Sequence, residues 1–171
     1  DTTLADTTKQ VTGLNLLTTY YWRVSAKNQL GWGNFSQWYK FTTTPNASAN
    51  VSLTVIPGGF YNSVTGKLNM KDTLKVFLVD SSNCQKMDSA KGVLDSVSFS
   101  MQVSFNNAES GNYYIYIVHR NHLTIASRFE HNVQRGSTVS YDFASDSIYT
   151  FGGNVIKLSP SLNLWGMMPG D

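Results

Sequence analysis

Short segments in which apolar and polar residues alternate recur along most of this chain, and they restrict its fold more than any other feature. The clearest are residues 97–105, 20–26, 51–55 and 139–143. An alternation of period two places one side of an extended strand on a core and the other side in water. Turn signals rich in Gly, Pro and Asn separate the segments, and no amphipathic helix is predicted. The sequence therefore predicts an all-β fold built from sandwiches of antiparallel strands.

Composition narrows the classes of partner. Hydrophobic residues make up 41% of the 171 positions, which is enough apolar material for a packed core. The net charge is only +2 and Lys and Arg form no long run, so nucleic acid is not a predicted partner. No apolar run approaches the roughly 20 residues that span a bilayer, so membrane insertion is not predicted. The single cysteine, Cys84, allows no internal disulfide, and its polar loop signals no base that would activate the thiol.

Residues 42–50, with the sequence TTTPNASAN, separate two regions of the chain. The segment is small, polar and contains a proline, which is typical of a linker between domains. The regions on either side do not resemble each other, so no internal repeat is predicted.

The region before the linker resembles the last strands of a fibronectin type III domain. The resemblance rests on GLNLLTTYYWRVSAKN at residues 13–28 and GWGNFSQWYKFTT at residues 31–43. It implies that Tyr20 forms the tyrosine corner, with its hydroxyl bonded to nearby backbone, and that Trp22 and Val24 point into the core.

Only thirteen residues precede Leu14, whereas the family's first strands should lie there. Tyr20, Trp22 and Val24 would then form an exposed apolar face, which we interpret as an assembly face. The missing strands belong either to a longer polypeptide from which this chain was cut, the interpretation that we favour, or to another chain that adds its own strands.

The region after the linker resembles the transthyretin-like modules at the C-terminal ends of large secreted bacterial proteins. LTVIPGGFYN, SGNYYIYIVHRNHL and LWGMMPGD carry the resemblance. With the first resemblance, it implies a partial fibronectin type III domain at 1–44, a linker at 45–50, a complete antiparallel sandwich at 51–165 and an exit segment at 166–171. The family further implies an extracellular or cell-surface location.

No residue pattern in the sequence signals catalysis, and we predict no catalytic residues, no metal and no cofactor. His119 and His122 lie three apart, and on an extended strand their rings would diverge. A turn at Arg120 and Asn121 would bring them together, with His131 as a further candidate ligand, but no Cys or carboxylate lies at a typical metal-ligand spacing. The alternative is that His119 is a hydrogen-bonded core residue.

The aromatic residues Trp32, Phe35 and Trp38 are the candidate binding residues. Planar rings on a sandwich loop stack on sugars or anchor a protein partner, although a tryptophan at this place also covers the domain's own core. Three functions remain open: a structural or interaction module that contacts neighbouring domains or copies, a filament protomer completed by a neighbouring copy, and a module that binds polysaccharide.

Overall fold

The structure, a computed structural model, describes residues 8–9, 11–43 and 47–170. Backbone contacts divide the chain into two compact units, Asp1–Asn46 and Ala47–Asp171. Within the described residues, regular structure is almost entirely strand, and the only helical segments are the 3₁₀ turns Gly58–Phe60 and Ser147–Tyr149. The predicted all-β class is therefore confirmed.

The first unit contains two small antiparallel pairs of strands in its described part. Strand β1 (Thr19–Trp22) pairs with β4 (Tyr39–Thr42), and the short strands β2 (Lys27–Asn28) and β3 (Gly31–Trp32) form a hairpin between them in sequence. The β1–β4 register places Tyr20 opposite Phe41 and Trp22 opposite Tyr39.

The second unit has two sheets facing each other across one core. Its strands are β5 Ala49–Thr54, β6 Tyr61–Asn62, β7 Lys67–Leu68, β8 Asp72–Asp80, β9 Lys86–Leu94, β10 Ser100–Phe105, β11 Gly111–His119, β12 His122–Ser127, β13 His131–Val133, β14 Thr138–Asp142, β15 Thr150–Phe151, β16 Val155–Ser159 and β17 Leu164–Met167. One sheet has the order β10-β5-β14, and the other has the order β15-β12-β11-β8-β9, with β13 also paired to β11. The hairpins β6–β7 and β16–β17 complete the unit.

The core forms where the alternating strands turn their apolar sides toward each other. On β11, Tyr113, Ile115, Ile117 and His119 are buried, whereas the residues between them are half-buried or exposed. These four residues therefore form the inward side of the strand. Equivalent positions on β5, β8 and β10 fill the same core, including Leu53, Val76, Leu78, Val103 and Phe105.

One pairing departs from the antiparallel sandwich that the sequence predicts. Strand β14 runs parallel to β5, with Val139 opposite Val51 and Tyr141 opposite Leu53. The chain leaves β13 in one sheet and joins β5 of the other sheet through Ser137, whose carbonyl accepts from the Asn50 N–H at 3.0 Å. The alternation in β14 identifies its inward side but carries no information about strand direction, so the sequence could not reveal this pairing.

Three boundaries predicted from the sequence differ from those in the structure. The alternating run at residues 97–105 becomes a strand only from Ser100, because the Asp95 carboxylate accepts from the Val97 and Ser98 N–H groups and forms a turn. The exit segment is part of the fold, since β17 extends to Met167 and that side chain is fully buried. The predicted boundary at residue 165 therefore falls inside a strand. The predicted linker likewise overlaps β5, which begins at Ala49.

Candidate functional site

One face of the β1–β4 sheet carries a continuous row of apolar side chains. Tyr20 stacks on Phe41 and Trp22 stacks on Tyr39, with ring centroids 5.8 and 4.9 Å apart, and Val24 continues the alternation. We call these five residues the apolar strip. Trp22 exposes 46% of its surface, Val24 53% and Phe41 43%. The strip is therefore an exposed apolar surface in this structure.

The described residues of the first unit include none that is buried. The hydroxyl of Tyr20 accepts a hydrogen bond from the Asn15 backbone N–H at 2.8 Å, the kind of contact that the fibronectin type III resemblance implies, but its ring is only half-buried. Sequence reasoning missed Tyr39 and Phe41 as members of the strip. The signal was present, because Tyr39 and Phe41 alternate with Lys40 and Thr42 at period two.

The opposite face of the same sheet brings two of the three candidate binding residues together. The Arg23 guanidinium lies 3.8 Å from the ring centroid of Phe35 and 4.4 Å from that of Trp38. Trp32 instead faces Lys27 of its own hairpin, whose ammonium lies 5.5 Å from the ring centroid. All three aromatic side chains are more than half exposed, but each already has a cation against one face of its ring.

The second unit contains a buried chain of hydrogen bonds centred on two histidines. Its first link joins the Asp72 carboxylate to Nε2 of His119 at 3.1 Å. Nδ1 of His119 and Nδ1 of His122 are 2.7 Å apart, and Nε2 of His122 faces the Gly59 N–H at 3.2 Å. We call Asp72, His119, His122 and Gly59 the histidine network. Its histidines expose only 4% and 8% of their surface.

The partners in the network assign the tautomers. An ionised carboxylate only accepts, so His119 donates through Nε2–H to Asp72 and accepts at Nδ1. That nitrogen receives Nδ1–H of His122 and also the backbone N–H of Asn121 at 3.2 Å. His122 then accepts from Gly59 at Nε2. Every link is satisfied when both imidazoles are neutral, which indicates a network that is complete without an added proton.

A tight turn explains why the two rings converge. Arg120 and Asn121 connect β11 to β12, and His119 pairs with His122 directly across the hairpin. Their ring centroids are 4.7 Å apart, and Phe60 packs edge-on against both rings. The turn considered in the sequence thus forms, and His119 is a hydrogen-bonded core residue.

The three sequence pieces that carry the transthyretin-like resemblance meet at this network. From the first piece, Gly59 donates to His122. From the last piece, Gly170 donates to the Asn121 carbonyl at 2.9 Å, and the Met168 carbonyl accepts from the Leu123 N–H at 2.9 Å. The motifs therefore fix one another in space, although they lie far apart in sequence.

Charge and burial decide the protonation of the network. Burial raises the pKa of Asp72, but hydrogen bonds from Thr73 and His119 and the charge of Arg120 outweigh it and hold that pKa below the usual value. Burial, with a smaller contribution from His119, lowers the pKa of His122 from 6.5 to about 4. At neutral pH, Asp72 is therefore ionised and His122 is neutral.

The geometry restricts what the network can do chemically. Nε2 of His122, its only accepting nitrogen, is occupied by the Gly59 N–H, so it is not free to take a proton from a substrate. Asp72 lies at the side of His119 away from His122, so the three groups do not converge on one point. His131 is elsewhere and packs against Tyr141, with ring centroids 4.5 Å apart. Among residues 8–9, 11–43 and 47–170, no group of three or more potential metal ligands is placed to hold an ion.

Comparison with known proteins gives no relative: no family model, curated protein or solved structure matches the chain. In the part of the chain that the structure describes, no helix has the length and hydrophobicity needed to cross a bilayer.

Proposed function

We propose that this chain is a non-catalytic structural and interaction module of a larger secreted or cell-surface bacterial protein. The observation that carries the proposal is the exposed apolar strip of the first unit, in which Trp22 and Val24 show about half of their surface. Contiguous apolar surface of this kind marks sites of interaction on soluble proteins. The first unit is therefore expected to obtain a buried core by placing the strip against additional polypeptide.

Strand pairing offers a second point of attachment. Within the described residues, β1 pairs only with β4, so each of these strands has one edge with free backbone N–H and C=O groups. An added strand would satisfy those groups while its apolar side chains cover the strip. The strand comes either from a neighbouring domain or from another copy, and the second source would build a filament.

The non-catalytic part of the proposal is supported by the histidine network. Among the described residues, it is the only interior site where histidines and a carboxylate meet. Each of its ring nitrogens already has a hydrogen-bond partner within the protein. The location outside the cell is supported by the sequence resemblance alone.

The proposal is tested by matched substitutions on the two faces of β1. Trp22→Asp places a charge in the strip, whereas Tyr21→Asp places the same charge on the opposite face at a residue that is 64% exposed. Sedimentation velocity over a range of concentrations measures self-association. The fluorescence of a dye that binds apolar surfaces measures how much of the apolar strip is accessible. Both measurements use the full chain.

If copies complete one another, the chain associates as its concentration rises, and Trp22→Asp but not Tyr21→Asp abolishes the association. If a different polypeptide is the partner, the chain stays monomeric and binds the dye. Dye binding is then lost in Trp22→Asp and kept in Tyr21→Asp. A monomeric chain whose dye binding is the same in both variants would contradict the proposal.

A further inference from the structure

The outer face of the six-stranded sheet, opposite the core, carries aromatic side chains in one row across the strands. The register places Phe77 of β8 next to Tyr116 of β11, Tyr116 next to Ala126 of β12, and Ala126 next to Phe151 of β15. Phe151 exposes 62% of its surface, although its neighbour Ala126 exposes only 7%. The small alanine therefore leaves a gap between two rings.

That gap is a slot open to solvent. Tyr116 and Phe151 are separated by two strand spacings, roughly 9.6 Å at the backbone. Ala126 forms the floor between them, and the remaining lining of this depression of about 250 Å³ comes from Cys84, Tyr114, Ser127 and Arg128. A ring with apolar faces and one negative group fits such a slot, because the walls are aromatic and the cationic residue Arg128 belongs to the lining.

The charged residues at the outward strand positions of this face are all of one sign. Lys75, Lys86, Lys91 and Arg128 are its cations, and the outward positions of the described strands β8, β9, β11, β12 and β15 carry no carboxylate. None of the four cations lies within salt-bridge distance of a carboxylate in the described residues.

The nearest acidic residues are directed to other partners. Asp88 of β9 accepts from the Asn107 and Ala108 N–H groups beyond β10, at 2.8 and 3.1 Å. Glu130 lies before β13, where its carboxylate accepts from Asn112 at 3.4 Å. Asp88 also lines one depression together with Phe77 and Lys86. Lys75, Lys91 and Arg128 are therefore the cations of this face without a carboxylate of the described residues in a shared depression or within salt-bridge distance.

Two of the lysines flank the ring of Phe77. The ammonium groups of Lys75 and Lys86 each lie 4.6 Å from the ring centroid of Phe77. Lys75 precedes Phe77 by two residues, and Lys86 pairs with Val79, two residues after Phe77, so the two cations lie on opposite sides of the ring along the strand. Two separate positive charges held over the sheet favour a ligand that carries more than one negative group.

We propose that the outer face of this sheet binds an acidic polysaccharide. One uronate unit occupies the slot, with the C–H faces of its ring against Tyr116 and Phe151 and its carboxylate on Arg128. Further carboxylates along the polymer pair with Lys75, Lys86 and Lys91. The site lies in the second unit and does not depend on the function proposed for the first.

Nucleic acid is the competing polyanion, and the charge balance disfavours it. Domains that bind nucleic acid through a basic face usually have an isoelectric point above about 9, whereas the sequence value here is about 8.6. Three of the four cations are lysines, which lack the planar fork that arginine offers to phosphate.

The test measures binding of the full chain to polygalacturonate, with fully methyl-esterified polygalacturonate as the matched ligand that keeps the rings and loses the charges. We expect binding to the acid form and loss of binding to the ester. Phe151→Ala should weaken binding roughly five- to tenfold, and Arg128→Gln should weaken it about tenfold. Both side chains are exposed, so the variants should keep the parent's melting temperature.

Two control variants lie outside this face. Lys157→Gln removes an exposed cation of β16, and Tyr21→Ala removes an exposed aromatic residue of the first unit. Both should bind polygalacturonate as the parent does. Equal binding to acid and ester, unchanged binding in Phe151→Ala and Arg128→Gln, or tighter binding of single-stranded oligothymidylate at the same salt concentration would each overturn the proposal.

Discussion

The two units of this chain contain strands with the same kind of alternation, and they differ in what the apolar sides of those strands contact. In the second unit, Ile115 and Ile117 of β11 are fully buried because a second sheet faces them. In the first unit, Trp22 of β1 and Val24, two residues further along the same alternation, remain about half exposed. The difference shows that alternation identifies the side of a strand that has to be buried. The burial itself requires a second layer of structure packed against that side.

The energetic consequence follows from burial. Apolar surface stabilises a fold by roughly 25 cal/mol per Å² removed from water, so the second unit gains this contribution along both of its sheets. The first unit has stacked aromatic pairs, worth about 0.5–1.5 kcal/mol each, on a sheet that would be marginal alone because two strands rarely fold independently. The second unit should therefore dominate the unfolding transition of the chain.

The sharpest way to break this comparison is to remove one large side chain from each unit. Ile117→Ala should lower the free energy of unfolding by about 2–5 kcal/mol, since it leaves a cavity in a closed core. Trp22→Ala should lower it by no more than about 0.5–1.5 kcal/mol, since it removes one stacked pair on an open face. Urea unfolding followed by circular dichroism checks both values. Similar losses in the two variants would mean that the strip is buried in solution.

Acid titration tests the second unit by itself, because all three histidines lie there. The unfolded chain takes up a proton on His122 near pH 6.5, whereas the folded chain resists until about pH 4. Stability is therefore complete above pH 6.5 and should fall by up to about 3 kcal/mol between pH 6.5 and 4. Burial also lowers the pKa of His131, which adds to the slope in the same direction.

Unfolding free energies measured across this pH range give the slope, which is the change in the free energy of unfolding per pH unit. His122→Gln should flatten it more than His131→Gln does, because the shift at His122 is the larger of the two. A slope that His122→Gln leaves intact would show that the network does not hold His122 neutral.

A pair of glycine substitutions gives the smallest expected effect. A methyl group on Gly166 would lie 2.8 Å from the Ile56 carbonyl oxygen and 3.2 Å from the Gly58 Cα, and backbone atoms cannot move aside cheaply. Gly166→Ala should therefore destabilise the chain by about 1–3 kcal/mol.

Gly33→Ala in the first unit is the matched control. Its methyl group would come no closer than 3.5 Å to the Ala26 carbonyl oxygen, so we expect a change within about 0.5 kcal/mol. Thermal unfolding of both variants measures the difference, and a stable Gly166→Ala protein would show that β17 packs less closely than the structure indicates.

Sequence reasoning succeeded where a property is local. The faces of β11 and the inward positions of β10 follow from a period of two, because neighbouring residues alone set that pattern. It failed at the strand direction of β14, which no local pattern records. It overlooked the alternation at Tyr39 and Phe41, although only the pairing with β1 places these residues in the apolar strip. It left the two histidines undecided, because the turn at Arg120 and Asn121 determines whether their rings meet.

By itself, the sequence determined that the chain is all-β and which side of each alternating strand requires cover, because side chains on an extended backbone point to opposite faces in turn. Only the tertiary structure decided which of those sides are covered. It also joined Asp72 to His119 across 47 positions and Gly59 to His122 across 63. Such contacts depend on where sheets and turns bring distant segments together, and no local pattern records that placement.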